Sequence, residues 1–265
     1  MTPDSFSDGG QFVSHAKALG QAMHLEQEGA AIIDVGGEST RPGAEPVGLE
    51  QELERVIPVI EAIRSRTDCA ISIDTSKPEV MEQALKAGAN LINDVNALRS
   101  DGAVAVVAAH NVPVVLMHMQ GEPRSMQQAP DYGDVVREIS DFLLQRVQSC
   151  VAGGIAREHI VLDPGFGFGK ALAHNMALLA CLPKIVALGH PVLAGLSRKS
   201  MLGQITGRQD PQQRLAASIA AALLAAQAGS AIVRVHDVAE TVDALKVWQA
   251  VRDESRQSTH AELEY

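Results

Sequence analysis

Aromatic side chains are scarce in this chain: five Phe, two Tyr and one Trp make up 3% of its 265 residues. So few rings offer little as a stacking platform for bases. Positive charge is also in deficit, with 22 Lys plus Arg against 32 Asp plus Glu and a net charge of −10. An acidic protein repels phosphate backbones and anionic bilayers alike, which excludes a general nucleic-acid binder and a membrane-surface protein. The cysteines Cys69, Cys150 and Cys181 are odd in number, far apart and without a C-x-x-C pair. They fit reduced thiols in a cytoplasmic protein better than a disulfide frame or a thiolate metal centre. No apolar run reaches the length of a bilayer span. The nearest, 215–228, is short and carries Ser218 and Gln227, which predicts a buried helix or a subunit interface. The first residues show no basic stretch followed by an apolar one, so no secretory signal is expected.

Apolar material is plentiful, at 46% against 20% charged residues, enough for a folded core. It is arranged in two alternating periods. Short β-branched runs predict strands at 31–35, 70–74, 91–94, 114–118, 160–163, 192–196 and 232–236. They stay apolar until their last residues, as strands covered on both faces do. Between them lie helical faces such as Phe12, Ala16, Leu19 and Met23, then Leu49, Leu53, Val56, Ile60 and Ile63, and later Val135, Ile139, Phe142 and Leu143. Gly29, Gly88 and Gly229 close helices just before strands. Such βα units surround a parallel sheet. Seven strands face eight helices, and the order opens with a loop and a helix. The fold class expected is therefore α/β, a (β/α)8 TIM barrel lacking its usual first strand at the N-terminus. One domain over 1–265 is expected, with 252–265 a polar tail that frays.

At the C-terminal strand ends the apolar runs stop at Asp34, Asp74, Asn93 with Asp94, His118, Asp163, Ser197-Arg198-Lys199, and Arg234 with His236. In a barrel these ends converge on one mouth, where the βα loops build the active site. One such residue alone reads as a helix cap, but seven at the same end point to a site. Asp74, Asn93 and Asp163 offer acceptors and one amide, suited to a flat heterocycle with amino and ring N–H donors. Lys199, Arg234 and His236 come from the last two strands, where barrels hold phosphate, so the ligand is expected to have an anionic end. The loop GGESTRPG at 36–43 adds a hydroxyl and a guanidinium, or is a solvated turn.

The run GFGFGK at 165–170 imitates a phosphate loop without being one. Pro164 stands at the first-glycine position of that pattern, Ala171 follows the lysine, and Lys170 replaces the third glycine of the dinucleotide fingerprint. Its Phe166 and Phe168 either wall an aromatic ligand or pack beneath the loop. The nine histidines include no HExxH or paired spacing, so no protein-built zinc centre is expected, and His118 reads as a structural strand-end residue.

Taken together and in order, TPDSFSDGG at 2–10, DVGGESTRP at 34–42, DTSKP at 74–78, ND at 93–94, DPGFGFGK at 163–170, SRKS at 197–200 and RVHD at 234–237 resemble the dihydropteroate synthase family of folate biosynthesis. The resemblance runs over essentially the whole chain. It implies condensation of 6-hydroxymethyl-7,8-dihydropterin pyrophosphate with p-aminobenzoate through a pterin cation. Asp74, Asp163 and Lys199 would be the catalytic residues. Asn93 would bind the pterin, and Arg234 and His236 the pyrophosphate. Thr40, Arg41, Pro42, Phe168 and Ser200 would serve p-aminobenzoate, and a loop with Phe6 and Asp8 would close over the site. The family further implies Mg²⁺, a cytoplasmic homodimer through the region 211–228, and sulfonamides as mimics of p-aminobenzoate. The strand that family members carry before Thr-Pro-Asp-Ser-Phe, whose asparagine helps bind the metal, has no counterpart here, so no metal ligand is assigned. Two readings stay open beside it. A folate-binding methyltransferase barrel would keep Asp74, Asn93 and Asp163 without needing the SRKS and TRP loops, and an N-terminally truncated chain would bind pterin without turnover.

Overall fold

The computed structural model describes residues 11–39, 44–121, 126 and 130–261, with the side chains of 11–14 and 256–261 left aside. Its elements run α1 Gln11–Gln27, β1 Ile32–Gly36, α2 Leu49–Arg64, β2 Ala70–Asp74, α3 Pro78–Ala87, β3 Leu91–Asp94, α4 Ala103–His110, β4 Val114–Met117, α5 Val135–Ala152, β5 Ile160–Asp163, α6 Leu172–Ala180, α7 Leu182–Val186, β6 Leu193–Ala194, α8 Ser200–Thr206, α9 Leu215–Gln227, β7 Ile232–Val233 and α10 Val238–Ala261.

All seven predicted strands are present, and every pairing joins strands consecutive in sequence. Strands β1 to β5 form one parallel sheet in chain order, β6 pairs in parallel with β7, and a bridge between Leu162 and Val192 joins the two sets. A doubly wound sheet would reverse its order part-way; this one does not, which makes it the wall of a β/α barrel. The wall also curls round, because Arg234 just beyond β7 reaches Asp34 on β1 and Asp74 on β2.

Four strands differ in their bounds from expectation, β1 by one residue at each end. β4 stops at Met117, although the amide of His118 still donates to Asp163. β6 and β7 pair over two residues only, after which the chain leaves for the loops at the mouth. Ten α-helices are described where eight were expected. Pro183 in the first turn of α7 starts a new helix after α6, and the short α8 precedes α9. Within the span expected to fray, α10 is helical through Ala261, and 262–265 lie outside the described residues. Gly29, Gly88 and Gly229 do close helices at positive φ, 101°, 114° and 99°.

Two apolar layers position the site. The larger fills the space between strands and helices, with Ile33, Ile71, Ile73, Ile92, Leu116 and Leu162 on the outward strand faces. The smaller fills the barrel interior: Leu91, Val115, Val161 and Leu193 pack together, with Ile32 and Ile232 against them, so that six strands contribute one residue each.

Candidate active site

Side chains alternate along a strand, so the residue two positions beyond each interior residue also faces inward, one level nearer the mouth. From Ile32, Leu91, Val161 and Ile232 that step reaches Asp34, Asn93, Asp163 and Arg234. Barrel geometry thus delivers two carboxylates, an amide and a guanidinium to one level, and Asp74 joins them from the end of β2. The guanidinium of Arg234 ties the set together: Nε lies 2.7 Å and Nη2 2.6 Å from Asp34 Oδ2, and Nη2 lies 2.9 Å from Asp74 Oδ2. Asn93 Nδ2 stands 3.5 Å from Asp34 Oδ2. Asp94, one residue further, faces the other way. It accepts from Ser76 Oγ and from the amides of Asn96 and Leu98, and so shapes the loop rather than the mouth.

Burial sets the charge states. It pushes the Asp74 carboxyl up to about 7 against the pull of Arg234. Asp163 is raised by the same cause, opposed by the Gly165 amide at 2.7 Å and by Lys199. Lys199 is brought down to about 8 by burial and by Arg234. His236 falls to about 4 through burial, with Arg198 and Arg234 acting in the same direction. It is therefore a neutral imidazole at pH 7, and the positive charge of this set rests on Lys199 and Arg234.

The run at 163–170 is a knot of backbone around one ammonium. Lys170 is buried, and its Nζ reaches Gly165 O at 2.8 Å, Phe168 O at 2.9 Å and His118 Nδ1 at 3.1 Å. A lysine so engaged does not serve a phosphate. Asn175 Oδ1 accepts from the Gly167 amide, and its Nδ2 donates to Lys170 O. The two phenylalanines divide the roles that were left open: Phe166 is sunk in the core at 1% exposure, and Phe168 stays at the mouth with Lys199 Nζ 4.1 Å from its ring centre. His118 is structural, held near 3 by burial and by Lys170.

Lys199 itself is aimed by strain. Arg198 takes φ +58°, its amide donates to Ser218 Oγ at 2.9 Å, and its carbonyl accepts from Arg214 Nη1 at 2.8 Å. Its side chain pairs with Asp237, Nε to Oδ2 at 3.1 Å. His236 lies beside this turn, with Nδ1 3.0 Å from Ser197 Oγ. Ser200, the first residue of α8, is exposed next to Lys199.

Asp74, Asn93, Asp163, Lys199, Phe168, Arg234 and His236 are thus gathered at one end of the barrel. Thr40, Arg41, Pro42, Phe6 and Asp8 lie outside the described residues. Sequence reasoning missed the support beneath the loop after β1. There Lys77 Nζ pairs with both Glu38 and the buried Glu52, and Arg55 Nη1 donates to Gly37 O at 2.8 Å. The available signal was Glu52 itself, a carboxylate on the stripe of α2 that buries Val56, Val59 and Ile60. Among the described residues no three His, Cys, Asp or Glu side chains come together to hold a metal ion.

The sequence matches the model of the pterin binding enzyme family over residues 1–236. A dihydropteroate synthase of Haemophilus influenzae is 52% identical over 250 residues, covering 94% of this chain and 90% of that one. Among solved structures, the Xanthomonas albilineans dihydropteroate synthase with 4-aminobenzoic acid is 55% identical, covers 95% of this chain and 90% of its own, and has a TM-score of 0.90. The same organism's enzyme in complex with 7,8-dihydropteroate, 52% identical, covers 94% and 90% with a TM-score of 0.86. A barrel whose inner face carries these residues at its mouth, matched over nearly its whole length, belongs to the dihydropteroate synthase family of pterin-binding enzymes.

Proposed function

We propose that this site joins 6-hydroxymethyl-7,8-dihydropterin pyrophosphate to p-aminobenzoate, releasing pyrophosphate and forming 7,8-dihydropteroate. The observation that carries the reading is the gathering of Asp74, Asn93 and Asp163 on one inner level, with Lys199 and Arg234 beside them. The carboxylates and the amide match the amino-pyrimidinone edge of a pterin, and Lys199 matches its carbonyl and ring nitrogen. The well-supported SRKS turn favours a synthase over a methyltransferase barrel.

The amine of p-aminobenzoate is a weak nucleophile, so the C–O bond to pyrophosphate breaks first and leaves a cation at the exocyclic methylene. Asp74 and Asp163 stabilise that positive charge across the pterin ring. Arg234 takes charge from the departing pyrophosphate, and the neutral imidazole of His236 supplies a hydrogen bond to it. The amine then attacks the methylene, forming the C–N bond, and its proton passes to the departing pyrophosphate. Phe168 forms an apolar wall that keeps water from the cation. Thr40, Arg41, Pro42 and Ser200 belong to the p-aminobenzoate side of this proposal, and Phe6 and Asp8 to the closing loop. Mg²⁺ enters as an ion carried by the pyrophosphate. The described residues do not build a site for it, because Asp34 and Asp74 are engaged by Arg234.

Calorimetry with the pterin pyrophosphate tests the pocket directly: one site per chain supports the reading, and no binding contradicts it. A pH profile tests the charge states. Asp74 is the required carboxylate above about 7, and Lys199 the required ammonium below about 8. The expected kcat/KM for the pterin therefore rises to a maximum between these values and falls on both sides. In Lys199→Arg the alkaline limb moves up by more than two pH units, since a guanidinium stays charged there.

The proposal includes a cytoplasmic homodimer acting on small molecules. Free cysteines suit that compartment, and among the described residues no helix is long and apolar enough to cross a membrane. Helices α9 and α10 leave Leu224, Val247 and Val251 more than half exposed, a face suited to a second copy. Sedimentation should show a dimer that Val247→Glu converts to monomer.

A further inference from the structure

Arg234 serves two carboxylates with one charge. Its side chain lies 42% exposed on the open side of the mouth, while Asp34 and Asp74 beneath it are 18% and 5% exposed. Both of its bonds to Asp34 and its bond to Asp74 end on Oδ2 atoms, and Nη2 is common to the two carboxylates. On the function proposed above, on which this inference rests, Asp74 accepts from a pterin's N–H donors and Arg234 binds the pyrophosphate. Those two demands meet at a single ion pair. A carboxylate oxygen already accepting from a guanidinium is a poorer acceptor for a second donor, and a guanidinium engaged there has fewer N–H groups for an anion.

We propose that Arg234 is a specificity-determining residue that couples recognition of the two ends of the substrate. A pterin carrying pyrophosphate offers Arg234 a replacement partner and takes over Asp74 Oδ2. A pterin without the anion competes with the guanidinium for that oxygen and binds weakly. Asp34 sets the balance, because its hold on Nε and Nη2 keeps the guanidinium paired when Nη2 leaves Asp74. The site thereby discriminates against an unactivated pterin alcohol, which fits the ring pocket but cannot react.

The test compares affinities of the full chain for 6-hydroxymethyl-7,8-dihydropterin and for its pyrophosphate ester. In Arg234→Gln the ester should bind about tenfold or more weaker while the alcohol binds about tenfold tighter, the size expected from exchanging one charge-assisted hydrogen bond. Asp34→Asn leaves the guanidinium to Asp74 alone, so the alcohol should bind several-fold weaker than to the parent. By reciprocity, saturating inorganic pyrophosphate should raise the parent's affinity for the alcohol, and this gain should vanish in Arg234→Gln. Unchanged or weaker alcohol binding in Arg234→Gln overturns the coupling. If that variant fails to fold, unchanged or tighter alcohol binding in Asp34→Asn overturns it instead. A parent that binds the ester without these shifts refutes the coupling alone, whereas a parent that binds neither pterin refutes the pterin reading itself.

Discussion

Lys199→Ala is expected to fold with a melting temperature close to the parent's and to lose turnover by about 10²-fold or more, because the ammonium that positions the pterin through its carbonyl and ring nitrogen is gone. Two features make this variant informative. Burial already disfavours the ammonium, as its depressed pKa of about 8 shows, so deleting it relieves a desolvation cost while weakening the field on Asp163. The fold has little stake in the group otherwise, because the turn that presents it is held by Ser218, Arg214 and Asp237. Asp163→Asn is expected to behave alike: a side-chain oxygen remains to accept the Gly165 amide, while the charge opposite the pterin cation is gone. Parallel measurement of kcat and thermal melting checks both. Near-parental turnover in either variant would remove that residue from the role assigned to it.

Gly165→Ala is expected to fail at the level of structure. Gly165 takes φ +68°, where an L residue is strained, and an added Cβ would stand 1.9 Å from the carbonyl oxygen of His118. That neighbour is backbone at the end of β4 and has no rotamer to yield. The substitution must displace either β4 or the turn that fixes Asp163, at a cost of roughly 3 kcal/mol or more. Gly20→Ala supplies the contrast. It lies within α1 with nothing within 4 Å of the new Cβ, and is expected to stabilise by about 0.5–1 kcal/mol through helix propensity. Denaturant unfolding of the pair should give opposite signs. A Gly165→Ala protein of parental stability would contradict the packing described for the turn.

The strands and the level of the site were legible in the sequence because both rest on a local rule. Alternation by two from Ile32, Leu91, Val161 and Ile232 leads to Asp34, Asn93, Asp163 and Arg234, and the parallel order follows from the helices in between. The pairing of Lys77 with Glu38 and Glu52 was not legible. Those partners are 39 and 25 residues away, and only the packing of α2 and α3 beside β1 brings them together. The length of α10 was not legible for a different reason. Residues 252–260 are polar, which reads as fraying, yet they contain neither Gly nor Pro, and without a breaker a helix already docked by its N-terminal half has no local reason to stop. The charge state of His236 depends on burial beside Arg198 and Arg234, which residue identity does not reveal.

The deficit of positive charge takes on a local meaning at the mouth. In a chain of net charge −10, Lys199 and Arg234 stand together over Asp34, Asp74 and Asp163. A ligand with a donor-rich ring and an anionic end satisfies both signs at once. Release of pyrophosphate from 6-hydroxymethyl-7,8-dihydropterin pyrophosphate, measured with and without p-aminobenzoate, decides whether this mouth carries out the condensation. Condensation at this mouth requires release that depends on p-aminobenzoate and matches 7,8-dihydropteroate formed one for one. Tight binding of the pterin ester with no release dependent on p-aminobenzoate would contradict it.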